Sequence, residues 1–331
     1  MKVTTERFDS FNGEDITKYS IATDDMIFSF IDFGAALHSV MMPDKEGKQE
    51  NVVIGFDTVQ DYIDSSGFFG MTIGRVAGRI ANGSFELNGR IYEVEQNLGN
   101  HHLHGGTHGM SYRKYDTAVS EHESGNEIAL MMTTELKSEE DYYPGNMRVQ
   151  ITHTINNNNE WTVHYQAITD EDTLFNPSNH SYFNLNGMTS DVMNHLLYIN
   201  SKKIAETDNE LIPTGQLITP DADYSIEGKV ISGLDTPYVL GGNPDDTRIR
   251  LHDPESGRML QIQTDRPAVV VYSAGGVDFT ASNGFHVQEG YGIALETQVL
   301  PDAINQPELG EVRVIGSETF QSATIYRFTV Q

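Results

Sequence analysis

Apolar and polar positions alternate along much of the chain. In MRVQITHTINNNNEWTVHYQAI, Met147, Val149 and Ile151 alternate with Arg148, Gln150 and Thr152; four asparagines follow, and the alternation resumes. A period of two predicts two half-buried strands joined by a turn. RIRLHDPESGRMLQIQTD repeats the plan, with Asp-Pro and Ser-Gly as punctuation. In SFELNGRIYEV, Phe85, Leu87 and Ile91 flank Asn88-Gly89, a strong short-range hairpin signal. Short helical turns are predicted near DTVQDYI and SEEDYYPG, and no long amphipathic period appears. The expectation is an all-β protein, a large antiparallel β-sandwich, with residues 1–331 forming one domain without linker or fixed-period repeat.

Composition narrows the function. With 38% hydrophobic residues, the 331-residue chain can bury a core without disulfides or cofactors. Lys and Arg number 21 against 48 Asp and Glu, a net charge of -27 that repels a phosphate backbone and an anionic bilayer alike. Neither nucleic acid nor membrane is expected as a partner. There is no cysteine, which excludes disulfides, thiolate metal sites and thiol nucleophiles. The first residues, MKVTTERFDSFNGED, contain no signal-like apolar core, and no apolar run approaches the roughly 20 residues of a membrane span. A cytoplasmic protein is expected.

Three stretches carry candidate chemistry. LGNHHLHGGTHG holds four histidines. If extended, it places His102 and His104 on one face and His101 on the other. The spacing fits no standard zinc pattern, so no metal is expected, and structural or surface roles suit His101, His102 and His108. His104 differs because Gly105-Gly106 follows it, and a glycine pair lets the backbone bend or a ligand approach. In LFNPSNHSYFNLNG, an extended backbone aligns His180, Tyr182 and Asn184, a polar and aromatic face suited to a sugar. In GIALETQVLP, Glu296 interrupts an apolar strand, with Ala294 and Gln298 on its face. Burying a carboxylate disfavours its charge and raises its pKa, which suits a general base. IGRVAGRIANG adds Arg75 and Arg79, outside any strand-glycine-helix context that would make a dinucleotide site.

Taken in order, GAALHSVMMPDKEG, GFDTVQDY, GRVAGRIANGSFELNG, LHGG, EEDYYPG, NHSYFNL, IPTG and ALETQVLPDAINQP resemble the aldose 1-epimerase family, the galactose mutarotases, from about residue 33 to about residue 310. The resemblance implies a β-supersandwich with an open cleft for a monosaccharide. It implies that Glu296 takes the proton from the C1 hydroxyl and His180 protonates the ring oxygen. His104 and Arg79 would bind the sugar and stabilise charge, and Asp235 in LDTPY matches a substrate-binding aspartate. The chain departs from the family at Gly78, where many members carry Asn, at Thr236-Pro237-Tyr238 after Asp235, and at Ser273-Ala274-Gly275-Gly276.

Such an enzyme opens a hemiacetal ring, rotates about C1–C2 and closes it on the other face, which needs one base and one acid but no cofactor. Galactose and glucose are the expected sugars, acted on by a monomer or homodimer. An ionised Glu296 beside a protonated His180 predicts a bell-shaped pH dependence, with Glu296 on the acid limb and His180 on the alkaline limb. A maltose or other disaccharide 1-epimerase would use the same pair in a roomier cleft. A sugar-binding sandwich would not need the buried Glu, a hexose-phosphate epimerase would need more basic residues, and a glycoside hydrolase would need two carboxylates.

Overall fold

The alternating segments form strands where the pattern places them. Met147–Asn156 and Glu160–Thr169 pair in register around the asparagine turn, burying their odd-numbered residues. Ser84–Leu87 and Arg90–Glu93 form the Asn-Gly hairpin, with φ of 53° at Asn88 and 79° at Gly89, the left-handed pair that a two-residue turn of this type requires. Val59–Asp64 and Ser138–Asp141 are the two short α-helices predicted, the first capped by the Thr58 side chain. The computed structural model describes residues 1–221 and 227–331.

Every ladder between the described strands is antiparallel, with one isolated parallel bridge between Val76 and Asn176. Five strands from Lys2–Phe11 to Gln49–Asn51 form an N-terminal meander in chain order. A nine-stranded sheet runs from Asp116–Glu121 to Glu227–Lys229. At its centre the last strand, Thr319–Val330, lies between Glu160–Thr169 and Arg258–Thr264, so the chain's end joins two stretches that are distant in sequence. A six-stranded sheet follows the order Tyr182–Phe183, Ile293–Gln298, Ala268–Tyr272, Asp235–Leu240, Ser201–Thr207, Pro213–Ile218. One apolar cluster reaches from Ile21 through Trp161 and Leu295 to Phe328 and fills the space between the large sheets. Its burial is the main favourable term for folding.

Arg75 and Arg79 divide between scaffold and cleft. The guanidinium of Arg75 is wholly buried and donates from Nε and Nη2 to both oxygens of Asp141, at 2.7 and 2.9 Å, and from Nη1 to the carbonyl of Pro144 at 3.1 Å. It therefore ties segment 70–80 to the helix Ser138–Asp141. A buried, bidentate pair of this kind is hard to interrupt, because removing either partner strands the other charge in an apolar interior.

Candidate active site

The cleft is built around segment 70–80, which pairs with a histidine-bearing segment on each side. Thr72–Ile73 pairs with Ser178–Asn179, and the ladder continues through His180, whose N–H donates to Met71 at 2.8 Å and whose carbonyl accepts from Gly70 at 3.0 Å. Arg79–Ile80 pairs with His102–Leu103, which delivers His104 beside Gly78. This close approach needs glycine at 105, because a Cβ there would lie 1.7 Å from the carbonyl oxygen of Gly74. The floor comes from the six-stranded sheet. Asp235 lies opposite Tyr272, Pro237 opposite Val270, and Val270 opposite Glu296.

These elements enclose a cleft of about 400 Å³ lined by Arg79, His104, His180, Asp235, Glu296, Tyr182 and Tyr272. All five residues singled out from the sequence therefore meet in one place. His180 Nε2 lies 3.3 Å from Glu296 Oε1, both side chains nearly inaccessible at 5% and 3%. Arg79 Nη2 donates to Asp235 at 3.0 Å in the same cleft. Among the described residues, Glu296 Oε2, His180 Nδ1 and Arg79 Nε are buried without a hydrogen-bond partner. Buried polar atoms seldom remain unpaired, so these three are available to a polar ligand in the cleft.

Burial sets the electrostatics. It lowers His180 to about 4 and raises Glu296 well above its ordinary range, with Asp235 adding to the rise and Arg79 opposing it. Both directions favour neutral side chains at rest, against the ion pair expected from the sequence. His104 is lowered further, by burial first and then by His180 and Arg79. It stays an uncharged imidazole.

Its hydrogen is also located. Gly78 N–H donates to His104 Nδ1 at 3.1 Å, and because a backbone amide can only donate, the ring hydrogen sits on Nε2. Gly78, where many family members carry Asn, thus contributes its backbone N–H to His104. Its φ is 79°, and a Cβ would press on Pro301 at 2.9 Å. At the Ser273-Ala274-Gly275-Gly276 departure, Ser273 Oγ accepts from Leu234 N–H at 2.9 Å, one residue before Asp235, while Gly276 lines the cleft.

The extended readings fail in two places. The strand ends at Leu103 and His104 has a φ of 54°, so the rings of His102 and His104 part: His102 packs on Tyr143, His104 on Phe68 and His180. Asn184 does not reach the cleft either; its amide donates to the carbonyls of Ser190 and Tyr291 at 2.8 Å. His101 and His102 do serve structure, accepting from Asn82 N–H and bonding the Glu95 carbonyl respectively. Sequence reasoning missed Phe68, which stands against both site imidazoles. The flanking glycines in SSGFFG are the signal that was available.

The family profile described as aldose 1-epimerase matches residues 17–327. The chain belongs to the aldose 1-epimerase family. An aldose 1-epimerase of Streptococcus thermophilus is 32% identical, covering 94% of each chain. Galactose mutarotase of Bos taurus is 31% identical over 95% of this chain and 94% of its own, and a maltose epimerase of Levilactobacillus brevis is 27% identical over 99% of both. The solved structure of an aldose epimerase homologue from C. elegans superposes with a TM-score of 0.86 at 28% identity, over 94% of this chain and 98% of that one. Aldose 1-epimerases are isomerases acting on small sugars, and this chain has their mostly antiparallel fold.

His104, His180 and Glu296 form the one cluster among the described residues whose ligand atoms, within 4.8 Å of one another, could surround a cation. The bond from Gly78 opposes that use in this epimerase. Binding through Nε2 would require loss of its hydrogen, and binding through Nδ1 would break the bond to Gly78. Dialysis against EDTA is therefore expected to leave the melting temperature and the rate of sugar mutarotation unchanged. A fall in either that zinc restores would contradict the tautomer assigned to His104.

Proposed function

We infer that this aldose 1-epimerase interconverts the α and β anomers of a free aldohexose, with galactose and glucose as substrates and the pair Glu296–His180 moving the protons. The observation that carries the reading is the 3.3 Å approach of two buried, titratable groups whose outer atoms lack partners, inside a cleft open to a small polar ligand. The apolar cluster running from Ile21 to Phe328 supports treating residues 1–331 as one catalytic unit.

Ring opening requires Glu296 to accept the proton of the anomeric hydroxyl as the C1–O5 bond breaks. The electron pair of that bond goes to the ring oxygen, which takes a proton from His180. Burial favours the opposite distribution at rest, with the proton on Glu296, so the pair first passes it from the carboxyl to the imidazole. That transfer is uphill, and the sugar's own proton restores the favoured arrangement as the ring opens. After rotation about C1–C2, closure on the other face runs the same steps backwards. One turnover therefore returns the pair to its starting state.

His104 has a narrower part. Its Nε2–H donates towards oxygen that gains negative charge, and its held tautomer keeps it from exchanging protons. Arg79 and Asp235, already paired in the cleft, bind hydroxyl groups away from the anomeric centre. A disaccharide remains the second reading, supported by the maltose epimerase relative and by the outward apolar lining of Leu98, Leu211 and Phe279.

Polarimetry of fresh α-galactose tests the reading, with α-glucose and α-maltose as comparison sugars. The protein is expected to accelerate the change in rotation above the buffer-catalysed rate, and a folded Glu296→Gln variant to lose about 100-fold or more of the turnover. Near-normal rotation in that variant would remove Glu296 from the mechanism, and no acceleration by the native protein would leave a sugar-binding module. The pH profile gives a second check. Activity needs one proton on the pair, so kcat/KM should fall below about pH 4 as His180 gains a second proton, and at alkaline pH as Glu296 loses the first. A profile flat through both limbs would contradict it.

A further inference from the structure

Phe68 has no part in the proton steps above, yet its ring touches both site imidazoles. Its centroid lies 5.0 Å from that of His104 in an edge-on arrangement and 6.0 Å from that of His180, while the two imidazoles are 5.2 Å apart. The three rings form a closed triangle. Phe68 is 8% exposed and packs beneath on Ile73 and Ala77.

The backbone that presents this ring is tightly determined. Phe68 has a φ of 54°, an uncommon conformation for a bulky residue, and Ser66, two positions earlier, has one of 48°. The turn is fixed on the far side too: Met71 N–H donates to the Phe68 carbonyl at 3.0 Å, Gly70 N–H to the His180 carbonyl at 3.0 Å, and Asn179 Nδ2 to the Gly70 carbonyl at 2.9 Å. A left-handed aromatic residue clamped directly to the segment that carries His180 is more than is needed to fill a surface turn. Strained conformations of this kind persist where the surroundings enforce them, and they cluster at functional sites.

We propose that Phe68 is a positioning residue of the epimerase site, whose ring holds the imidazoles of His104 and His180 in mutual register and keeps water from them. The proposal rests on the proton roles assigned above. Water exclusion is what keeps His180 uncharged at rest and lets the proton pass between it and Glu296 rather than to solvent. The other titratable groups facing His180 are Glu296 at 3.3 Å and the rings of His104, Tyr182 and Tyr272 at 5.2, 5.0 and 6.4 Å; Arg79 and Asp235 act on Glu296. Replacing Phe68 removes none of these charges.

The test compares Phe68→Ala and Phe68→Leu with the native protein, reading His180 directly by NMR titration and the reaction by galactose polarimetry from about pH 3 to 9. Thermal melting confirms folding. In Phe68→Ala, water reaches the imidazole, so its titration and the acid limb of kcat/KM should both move up by about one pH unit or more, while kcat falls about tenfold with little change in KM. Phe68→Leu, which keeps the site dry, should retain the native titration and most of the rate. An unmoved His180 titration in a folded Phe68→Ala variant would overturn the proposal, and so would a rise in KM alone, which would make Phe68 a sugar contact. If the native protein failed to accelerate mutarotation, the functional reading would fall, and the His180 titration would still decide whether Phe68 shields that ring.

Discussion

A carboxyl group and an imidazole 3.3 Å apart, both shut away from water, cannot easily hold separate charges. That constraint organises the cleft. Burial drives Glu296 towards its protonated form and His180 towards its neutral form. The proposed anomer interconversion uses the two as one group carrying one proton, because it removes a proton from one oxygen of the sugar, supplies one to another, and consumes none overall. The neighbours keep the balance adjustable: Asp235 raises Glu296 further, while Arg79, paired to Asp235 at 3.0 Å, pulls it down.

The pair works only if strands from distant parts of the chain meet within a fraction of an ångström, and segment 70–80 performs that assembly. It hydrogen-bonds to the His180 segment on one side and the His104 segment on the other, and it carries Arg79 into the cleft itself. Arg75, buried against Asp141, anchors it from behind. Gly78 and Gly105 allow the close approaches, the first by donating its N–H to His104 and the second by leaving room for the Gly74 carbonyl. The sheet floor supplies Glu296 from Ile293–Gln298, all of whose residues are buried. A carboxylate on that strand has no route to solvent except through the cleft.

Much of this was legible in the sequence, for physical reasons. A period of two predicts strands whenever one face is buried, which is why Met147–Asn156 and Glu160–Thr169 were placed correctly, and Asn88-Gly89 marks a turn because few other pairs accept two positive φ values. Glu296 was visible as a charge in an apolar strand. The alternation rule failed where the backbone leaves the extended region, at His104, and where a side chain is claimed by nearby carbonyls, at Asn184. The glycines flanking Phe68 mark a turn but not its contacts, because local pattern does not report ring-to-ring packing between residues 68, 104 and 180. The resting charges are hard to read for a similar reason: adjacency of Glu and His suggests an ion pair, whereas burial pushes both groups towards their neutral forms.

The central claim concerns where the shared proton rests. Infrared difference spectroscopy between the native protein and Glu296→Gln, recorded in the absence of sugar near neutral pH, isolates the carboxyl stretch of this one residue. The account predicts the band of a protonated carboxylic acid, disappearing only as the pH rises through the elevated titration of Glu296. A carboxylate band at neutral pH, accompanied by a protonated His180, would contradict it and restore the ion pair that the sequence first suggested.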